Sequence, residues 1–152
     1  MDFSKELEQK VKEAIEAVPE AVASTAKRYF LERFAEKAFD GEPWQTWSKR
    51  YRPGRGTLLV QSGALRKSID IDEISARRVV ITAGGDRVPY ARAHNEGFSG
   101  SVVVRSHERV SRKGKPYVVK QHARKMLIPR RRFMGESREL ETLIKKRCGT
   151  TV

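Results

Sequence analysis

Three histidines are the residues of this sequence best suited to chemistry, and their spacing limits the chemistry they could do. They are His94, His107 and His122, and none lies three or four residues from another. Zinc sites gather closely spaced pairs of ligands, and the single cysteine, Cys148, lies near the far end of the chain. We therefore predict no metal site and expect His107 and His122 to face each other across a hairpin.

The stretch "PYARAHNEG", residues 89–97, places His94 two residues before Glu96. Residues two apart do not share a helical face, so this spacing does not make a general acid/base pair. A nucleophile-elbow pattern and a phosphate-loop spacing are both missing from the sequence. Asp70 and Asp72 would share a strand face and suit magnesium, but no other acidic group follows the same pattern nearby. We predict no catalytic, cofactor-binding or metal-binding residue.

The N-terminal and C-terminal parts of the chain, which must position these residues, differ strongly in net charge. Of the 152 residues, 1–43 hold 7 Lys/Arg and 10 Asp/Glu, a net charge of −3, whereas 44–152 hold 25 and 9, a net charge of +16. Between Arg105 and Arg132 there are 11 basic residues against Glu108 alone. Such asymmetry predicts contact with a polyanion, or head-to-tail association in which acidic and basic faces meet.

Hydrophobic content is 38% with 34% charged residues, so the core is lean. A lean core predicts an extended shape, a projecting arm, or surface that is buried only on assembly. No apolar run approaches the roughly 20 residues of a membrane span, and no signal peptide opens the chain. We predict no membrane contact. The lone cysteine fits a reducing compartment such as the cytoplasm.

The N-terminal third is predicted to be helical because its apolar residues recur every three or four positions. Pro19 interrupts this stripe without changing its phase, which predicts two nearly collinear helices or one helix kinked at Pro19. Gly41 and Pro43 predict the end of the helical part. The stripe consists of Phe3, Leu7, Val11, Ile15, Val18, Val22, Ala26, Tyr29 and Phe30.

A loop rich in turn formers follows, in which Trp44, Trp47 and Tyr51 are expected to pack on the domain. Aromatic residues interleaved with arginines can also stack nucleic-acid bases, so that alternative stays open. Ser62 is a candidate N-cap of a short helix that carries Leu65 and Ile69 on one face. The period then changes to two in "SIDIDEIS" and "RRVVITAGG", which predicts two strands.

The stretch from residue 102 to 124 is predicted to form a long basic hairpin that projects as an arm, because neither strand is apolar enough for a core position. Ser137 can cap a final helix that runs to about Arg147, with Leu140, Leu143 and Ile144 inward. We predict a single α+β domain over residues 1–152. It comprises a helical part (1–41), a β-rich part with an antiparallel sheet (57–135, hairpin 102–124) and a C-terminal helix (137–147).

Three segments, taken in order, resemble a known family. "WQTWSKRYRPGRGTLLVQSGALRKSI" (44–69), "VPYARAHNEG" (88–97) and "MLIPRRRFMGES" (126–137) are similar to motifs of phage virion-morphogenesis proteins, which include tail-completion and neck proteins of Mu-like and related tailed phages. Arg130 and Arg132 depart from the pattern by replacing a small residue and a proline. The hairpin lies in a variable region, so its role is not inherited.

The resemblance implies a structural, non-enzymatic protein at the head–tail junction or the head-proximal end of the tail, assembled in the bacterial host cytoplasm. Its expected partners are copies of itself in a ring, expected to be a hexamer, other phage tail or neck proteins, and DNA that passes transiently through the lumen. The motif residues expected to be structural are Trp44, Trp47, Ser62, Gly63, Leu65, Tyr90, His94, Gly97, Pro129 and Phe133.

In this interpretation Tyr90 packs, His94 makes a local hydrogen bond, Gly97 allows a left-handed turn and Phe133 anchors the last motif. The residues expected to contact a neighbouring subunit or DNA are Arg105, Arg109, Arg112, Lys113, Lys115, Lys120, Arg130, Arg131 and Arg132. A non-sequence-specific nucleic-acid-binding module is the main alternative, and a hydrolase that uses His94 is a third.

Overall fold

The computed structural model describes residues 3–49 and 56–149. Its first element is helix α1, Phe3–Glu36, which continues through Pro19 as one 34-residue helix. A helix tolerates an internal proline at the loss of one backbone hydrogen bond, and the unbroken apolar period on both sides explains why the helix persists. Of the two predicted alternatives, two nearly collinear helices or one helix kinked at Pro19, the structure has a single helix.

The end of α1 lies earlier than the sequence predicted. Lys37 has a φ of 56° and its N–H donates to the Arg33 carbonyl oxygen at 2.7 Å, which closes the helix after Glu36. Asp40 and Gly41, with φ of 52° and 80°, form a tight turn between β1 (Ala38–Phe39) and β2 (Glu42–Pro43). Two successive positive φ values are what a two-residue hairpin needs, so Gly41 turns a hairpin instead of ending the helix.

Helix α2 is a single turn, Ala64–Lys67, followed by the hairpin of β3 (Asp70–Ser75) and β4 (Arg78–Thr82). The Ser62 hydroxyl accepts the Ala64 N–H at 3.3 Å, while Gly63, with a φ of 77°, occupies the cap position itself. The hairpin lies against α1, where the Lys27 ammonium donates to Asp70 Oδ1 at 2.7 Å.

Helix α3, Ala91–Glu96, leads into a long hairpin that is confirmed but starts earlier and ends later than predicted. Its inner ribbon pairs β5 (Phe98–Val104) with β8 (His122–Ile128), and its outer ribbon pairs β6 (His107–Val110) with β7 (Pro116–Val119). Two residues on each strand, 105–106 and 120–121, separate the ribbons.

The register of this hairpin contradicts the predicted histidine pair. His107 lies opposite Val119, and His122 lies opposite Val104. Each imidazole Nδ1 instead contacts the carbonyl oxygen two residues before it, Arg105 for His107 and Lys120 for His122, at 2.9 Å. A strand's side chains alternate faces with a period of two, so a cross-strand pairing three positions out of register cannot form.

Helix α4, Arg138–Arg147, closes the chain, and Ser137 caps it as predicted by accepting the Leu140 N–H at 3.1 Å. Leu140 is buried, Ile144 packs against the core, and Leu143 is 41% exposed, so Leu143 does not lie inward as expected. The architecture is thus α+β, with a long N-terminal helix, small antiparallel sheets and a C-terminal helix. The core residues are Ala26, Tyr29, Phe30, Phe34, Phe39, Trp44, Leu58, Leu65, Ile69, Val88, Ala91, Phe133 and Leu140.

Candidate functional site

The three motif segments meet around Phe133, which is 1% exposed. The Phe34 ring of α1 lies 5.3 Å from the Phe133 ring and 5.6 Å from the Trp44 ring, centroid to centroid. The indole Nε1 of Trp44 donates to the Arg132 carbonyl oxygen, and Trp47 packs at the edge of the same core. Tyr51 lies outside the described residues. Aromatic packing therefore joins the tryptophan loop to the last motif across about 90 residues of chain.

Asn95 is the polar centre of this cluster, and the sequence analysis missed it. Its Oδ1 accepts the backbone N–H groups of Phe133 and Met134 at 2.9 and 3.0 Å, and its Nδ2 donates to the Met134 carbonyl oxygen at 3.1 Å. One amide side chain thus satisfies three backbone groups of an irregular segment. No local sequence signal identified this role, because the partners of Asn95 lie 38 and 39 residues further along the chain.

Gly97 lets the helix α3 segment approach the last motif closely. Its φ of 82° and ψ of 162° lie in a region that is essentially restricted to glycine, and not in the predicted left-handed helical turn. A Cβ at this position would meet the Arg130 backbone nitrogen at 3.2 Å and the Ile128 carbonyl oxygen at 3.3 Å. Pro129 lies within this contact, half-buried between the two motifs.

Arg131 lies inside the protein, unlike the other arginines of its segment. It is 7% exposed, and its Nε donates to the Gln45 carbonyl oxygen at 2.8 Å, with a longer contact of 3.4 Å to the Thr46 carbonyl. Its backbone N–H donates to the His94 carbonyl oxygen at 2.8 Å. Burial lowers the pKa of the Arg131 guanidinium. Because this guanidinium is buried and donates to the tryptophan loop, Arg131 is not part of the exposed basic surface.

His94 lies in the same cluster without a polar partner for its ring. Nδ1 is buried and makes no hydrogen bond within the part of the chain described, so the ring does not form the local hydrogen bond predicted for this residue. The main-chain carbonyl of His94 accepts the N–H of the distant Arg131 instead. The Tyr90 ring, itself 41% exposed, packs edge-on at 5.7 Å. Desolvation, and then the Arg131 charge, lower the pKa of His94, which favours the neutral imidazole.

Neither of the acidic candidates completes a reactive site. Glu96 pairs with Arg92 at 2.9 Å, away from His94. Asp70 is held by Lys27, and a bulge between Ile71 and Glu73 leaves Asp72 out of the ladder, which interrupts the predicted shared face. Within residues 3–49 and 56–149, no group of three His, Cys, Asp or Glu side chains is arranged to hold a metal ion.

The hairpin, residues 98–128, presents a concentrated positive charge. It carries eight Lys/Arg and one acidic residue, and all eight basic residues are exposed. Every ion pair found within residues 3–49 and 56–149 lies outside this hairpin. The eight residues are Arg105, Arg109, Arg112, Lys113, Lys115, Lys120, Arg124 and Lys125.

Two arginines of the last motif, Arg130 and Arg132, extend this basic surface to different degrees. Arg130 is exposed. The Arg132 guanidinium lies 4.8 Å from the Phe39 ring centroid, a cation–π distance that holds it against the body.

The two halves of the apolar stripe of α1 differ in burial. Its C-terminal half enters the core, whereas Leu7, Val11, Ile15 and Val18 in the N-terminal half are 51%, 50%, 65% and 40% exposed. The hairpin likewise exposes Val103, Val110, Tyr117, Val118 and Leu127. Apolar side chains at helical spacing on an uncovered face indicate surface that is buried in an assembly.

None of the helices in the described ranges has both the length and the apolar character required to cross a bilayer. Residues 2–152 match the model of the phage virion morphogenesis family. Comparisons with curated proteins and with solved structures give no match. The description of that family indicates a structural or assembly role in the phage virion. The match spans almost the whole chain, so this chain belongs to the phage virion morphogenesis family.

Proposed function

We propose that this protein completes the phage tail by forming a ring, a hexamer, at the head–tail junction or at the head-proximal end of the tail. In this position the ring ends the tail tube and allows the head to join. Exposed apolar side chains on two separate elements, α1 and the hairpin, carry this proposal. A surface used by one subunit and a different surface used by the next generate a closed ring when the rotation between them closes.

The motif cluster supports the ring by making the subunit body rigid. Asn95, Gly97 and Arg131 tie the base of the hairpin to α3 and to the tryptophan loop through backbone contacts. A hairpin held at its base projects in a defined direction, which a repeating assembly requires. The cluster residues are thus structural, and the contacts with neighbours fall to the hairpin and to α1.

The tip of the hairpin is suited to DNA that passes through the lumen. Arg109, Arg112, Lys113 and Lys115 are exposed and unpaired within the described chain. Several cations close together attract phosphates without sequence preference. A ring that lines its passage with such groups meets the DNA transiently, while other tail or neck proteins bind its two rims.

Negative-stain microscopy of the purified protein, combined with its mass in solution, tests the proposal. We expect discrete annular particles whose mass is a whole multiple of the 17.4 kDa chain, six for a hexamer. Addition of tail tubes should place these particles at one tube end. A monodisperse monomer that neither forms rings nor caps tubes would contradict the proposal.

A non-sequence-specific nucleic-acid-binding module is the second candidate, favoured by the eight exposed cations of the hairpin. Such a module binds duplex DNA as a monomer, and log Kd changes with log salt by roughly 0.9 for each phosphate contacted. Anisotropy titrations at several salt concentrations measure this slope. Lys113→Ala/Lys115→Ala should reduce it, whereas the matched change Lys145→Ala/Lys146→Ala on α4 should not. Tight, steeply salt-dependent binding by a monomer would favour this candidate over the ring.

A further inference from the structure

The exposed half of α1 and the inner ribbon of the hairpin have opposite charge and similar length. Residues 4–22 hold three Lys and five Glu, a net charge of −2. The inner ribbon with its two junctions, residues 98–106 and 120–128, holds four Lys/Arg and no acidic residue. Leu7 to Val18 spans about 17 Å at a helical rise, and Phe98 to Val104 spans about 20 Å as a strand.

One face of the inner ribbon combines apolar and basic side chains. Strand pairing places Leu127 opposite Ser99, Lys125 opposite Ser101, and Val103 opposite Ala123, and directly opposed residues share a face. Leu127 is 78% exposed and Val103 is 65% exposed. The alternate positions, such as Val102 and Met126, are half-buried, so the face with Leu127 and Val103 is the uncovered one.

We infer that this ribbon face of one subunit packs on the exposed stripe of α1, Leu7, Val11, Ile15 and Val18, of the next subunit. The inference rests on the proposed ring and names its interface. Leu127 and Val103 cover the helix stripe, while Lys125 of the same ribbon face lies opposite the glutamates beside the stripe, Glu8 and Glu16. Lys12 lies between these glutamates and pairs with Glu16 at 4.0 Å. Neither surface covers the other within one chain, because both remain exposed.

Charge selects this pairing over the two others that the same surfaces offer. Two copies of the hairpin repel each other strongly, since each carries eight cations and one acid. Two acidic helix segments repel each other weakly. Only the helix–ribbon contact joins opposite charges. Because it uses two different surfaces, it leaves a free helix at one end of the growing assembly and a free ribbon at the other, so further subunits can continue the ring.

Complementary surface variants test the interface. In the helix variant, Val11→Asp/Ile15→Asp, the stripe is charged. In the ribbon variant, Val103→Asp/Leu127→Asp, the opposing face is charged. Both pairs are exposed in the single chain, so circular dichroism should show the helical content of the wild type and each variant should still melt cooperatively. Its melting temperature should be lower by the stabilisation that the ring gives to the wild type. If either Asp variant loses its helical signal, a serine variant takes its place: Val11→Ser/Ile15→Ser for the helix and Val103→Ser/Leu127→Ser for the ribbon.

We expect each variant alone to shift from the ring mass to the monomer mass. An equimolar mixture should form a dimer of about twice 17.4 kDa, because the intact ribbon of one variant meets the intact helix of the other and no further contact is available. Matched controls add the same charges elsewhere. Gln9→Asp/Ala17→Asp lies on other faces of α1, and Ile74→Asp/Leu143→Asp lies on other exposed apolar positions, so both should still form rings.

Rings formed by either variant alone would overturn the interface and leave the ring itself standing. A monomeric helix variant beside a ring-forming ribbon variant would mean that helices pair with helices. A mixture of folded variants that stays monomeric would mean that these surfaces bind another virion protein or DNA, which also overturns the inference. A wild-type protein that stays monomeric at its highest soluble concentration would overturn both the interface and the proposed function.

Discussion

At the scale of single residues, the geometry of this protein is set by polar and backbone contacts that fix one loop against another. Asn95, Gly97 and Arg131 each satisfy or approach main-chain atoms of a distant segment. None of them is arranged to react with a substrate. His94, the residue most suggestive of catalysis, is instead desolvated and neutral beside Arg131.

Replacement of Asn95 by alanine should destabilise the protein by about 2–4 kcal/mol, because three partly buried backbone groups lose their partner at once. Urea unfolding measures the change in free energy. Gln121→Ala removes an exposed amide from the hairpin and should cost less than about 0.5 kcal/mol. Equal effects of the two substitutions would show that Asn95 does not hold the last motif.

Stability should also depend on pH through His94. Burial lowers its pKa in the folded protein below the ordinary 6.5, so the unfolded chain binds a proton that the folded chain rejects. His94 therefore does not lower the free energy of unfolding above about pH 6.5. Below that pH the free energy of unfolding falls as the pH decreases towards the pKa of His94 in the folded protein. Urea midpoints between about pH 7.5 and about pH 5.5 should fall less in His94→Gln than in the wild type. His107→Gln, on the exposed hairpin, should leave the dependence intact.

At the scale of elements, the hairpin divides into a base that belongs to the body and a tip that does not. The outer ribbon, β6 and β7, contributes no residue to the buried core. Its side chains are exposed except for Val119, which is half-buried. The tip therefore adds charge and reach and little to the stability of the fold.

Deletion of residues 107–119, with an Asn-Gly turn joining 106 to 120, should leave the fold intact. We expect a melting temperature within about 4 °C of the wild type, since the lost side chains make no core contacts. Ring formation should persist because the inner ribbon remains, while affinity for duplex DNA should fall. Scanning calorimetry measures the melting temperature, and anisotropy measures the affinity for DNA. A deletion variant that does not fold would contradict the division of the hairpin into a base that belongs to the body and a tip that does not.

Sequence patterns predicted the elements whose signal is local, and failed where distant segments decide. The helical period of α1, the presence of two strands at β3 and β4, the basic hairpin and the Ser137 cap follow from neighbouring residues and are confirmed. The end of α1 was misplaced because Asp40 and Gly41 serve a tight turn. The roles of Asn95 and Arg131 depend on contacts across 38 and 86 residues, which no local spacing encodes.

The apolar stripe shows the same limit in another form. From Phe3 to Phe30 its period is continuous, yet only the half from Ala26 onward enters the core. The periodicity of apolar residues indicates that one face of a helix is to be covered. It does not indicate whether the same chain or another one covers that face. In this chain the N-terminal half of the stripe is exposed, and in the proposed ring a neighbouring subunit covers it.

At the scale of the whole molecule, the subunit has too little core to cover its apolar surface and places opposite charges on two separate elements. A soluble monomer gains nothing from either property. A subunit of a closed assembly uses both, since neighbours cover the apolar faces and charge sets which faces meet. Membership of the phage virion morphogenesis family accords with that design.

The mass of the purified wild-type protein in solution, measured by sedimentation equilibrium over a range of concentrations, tests the ring most directly. The account predicts one discrete species at a whole multiple of 17.4 kDa, a sixfold multiple for the hexamer, with annular particles in the same sample. A single species of 17.4 kDa at every concentration, with no annular particles on tail tubes, would contradict it.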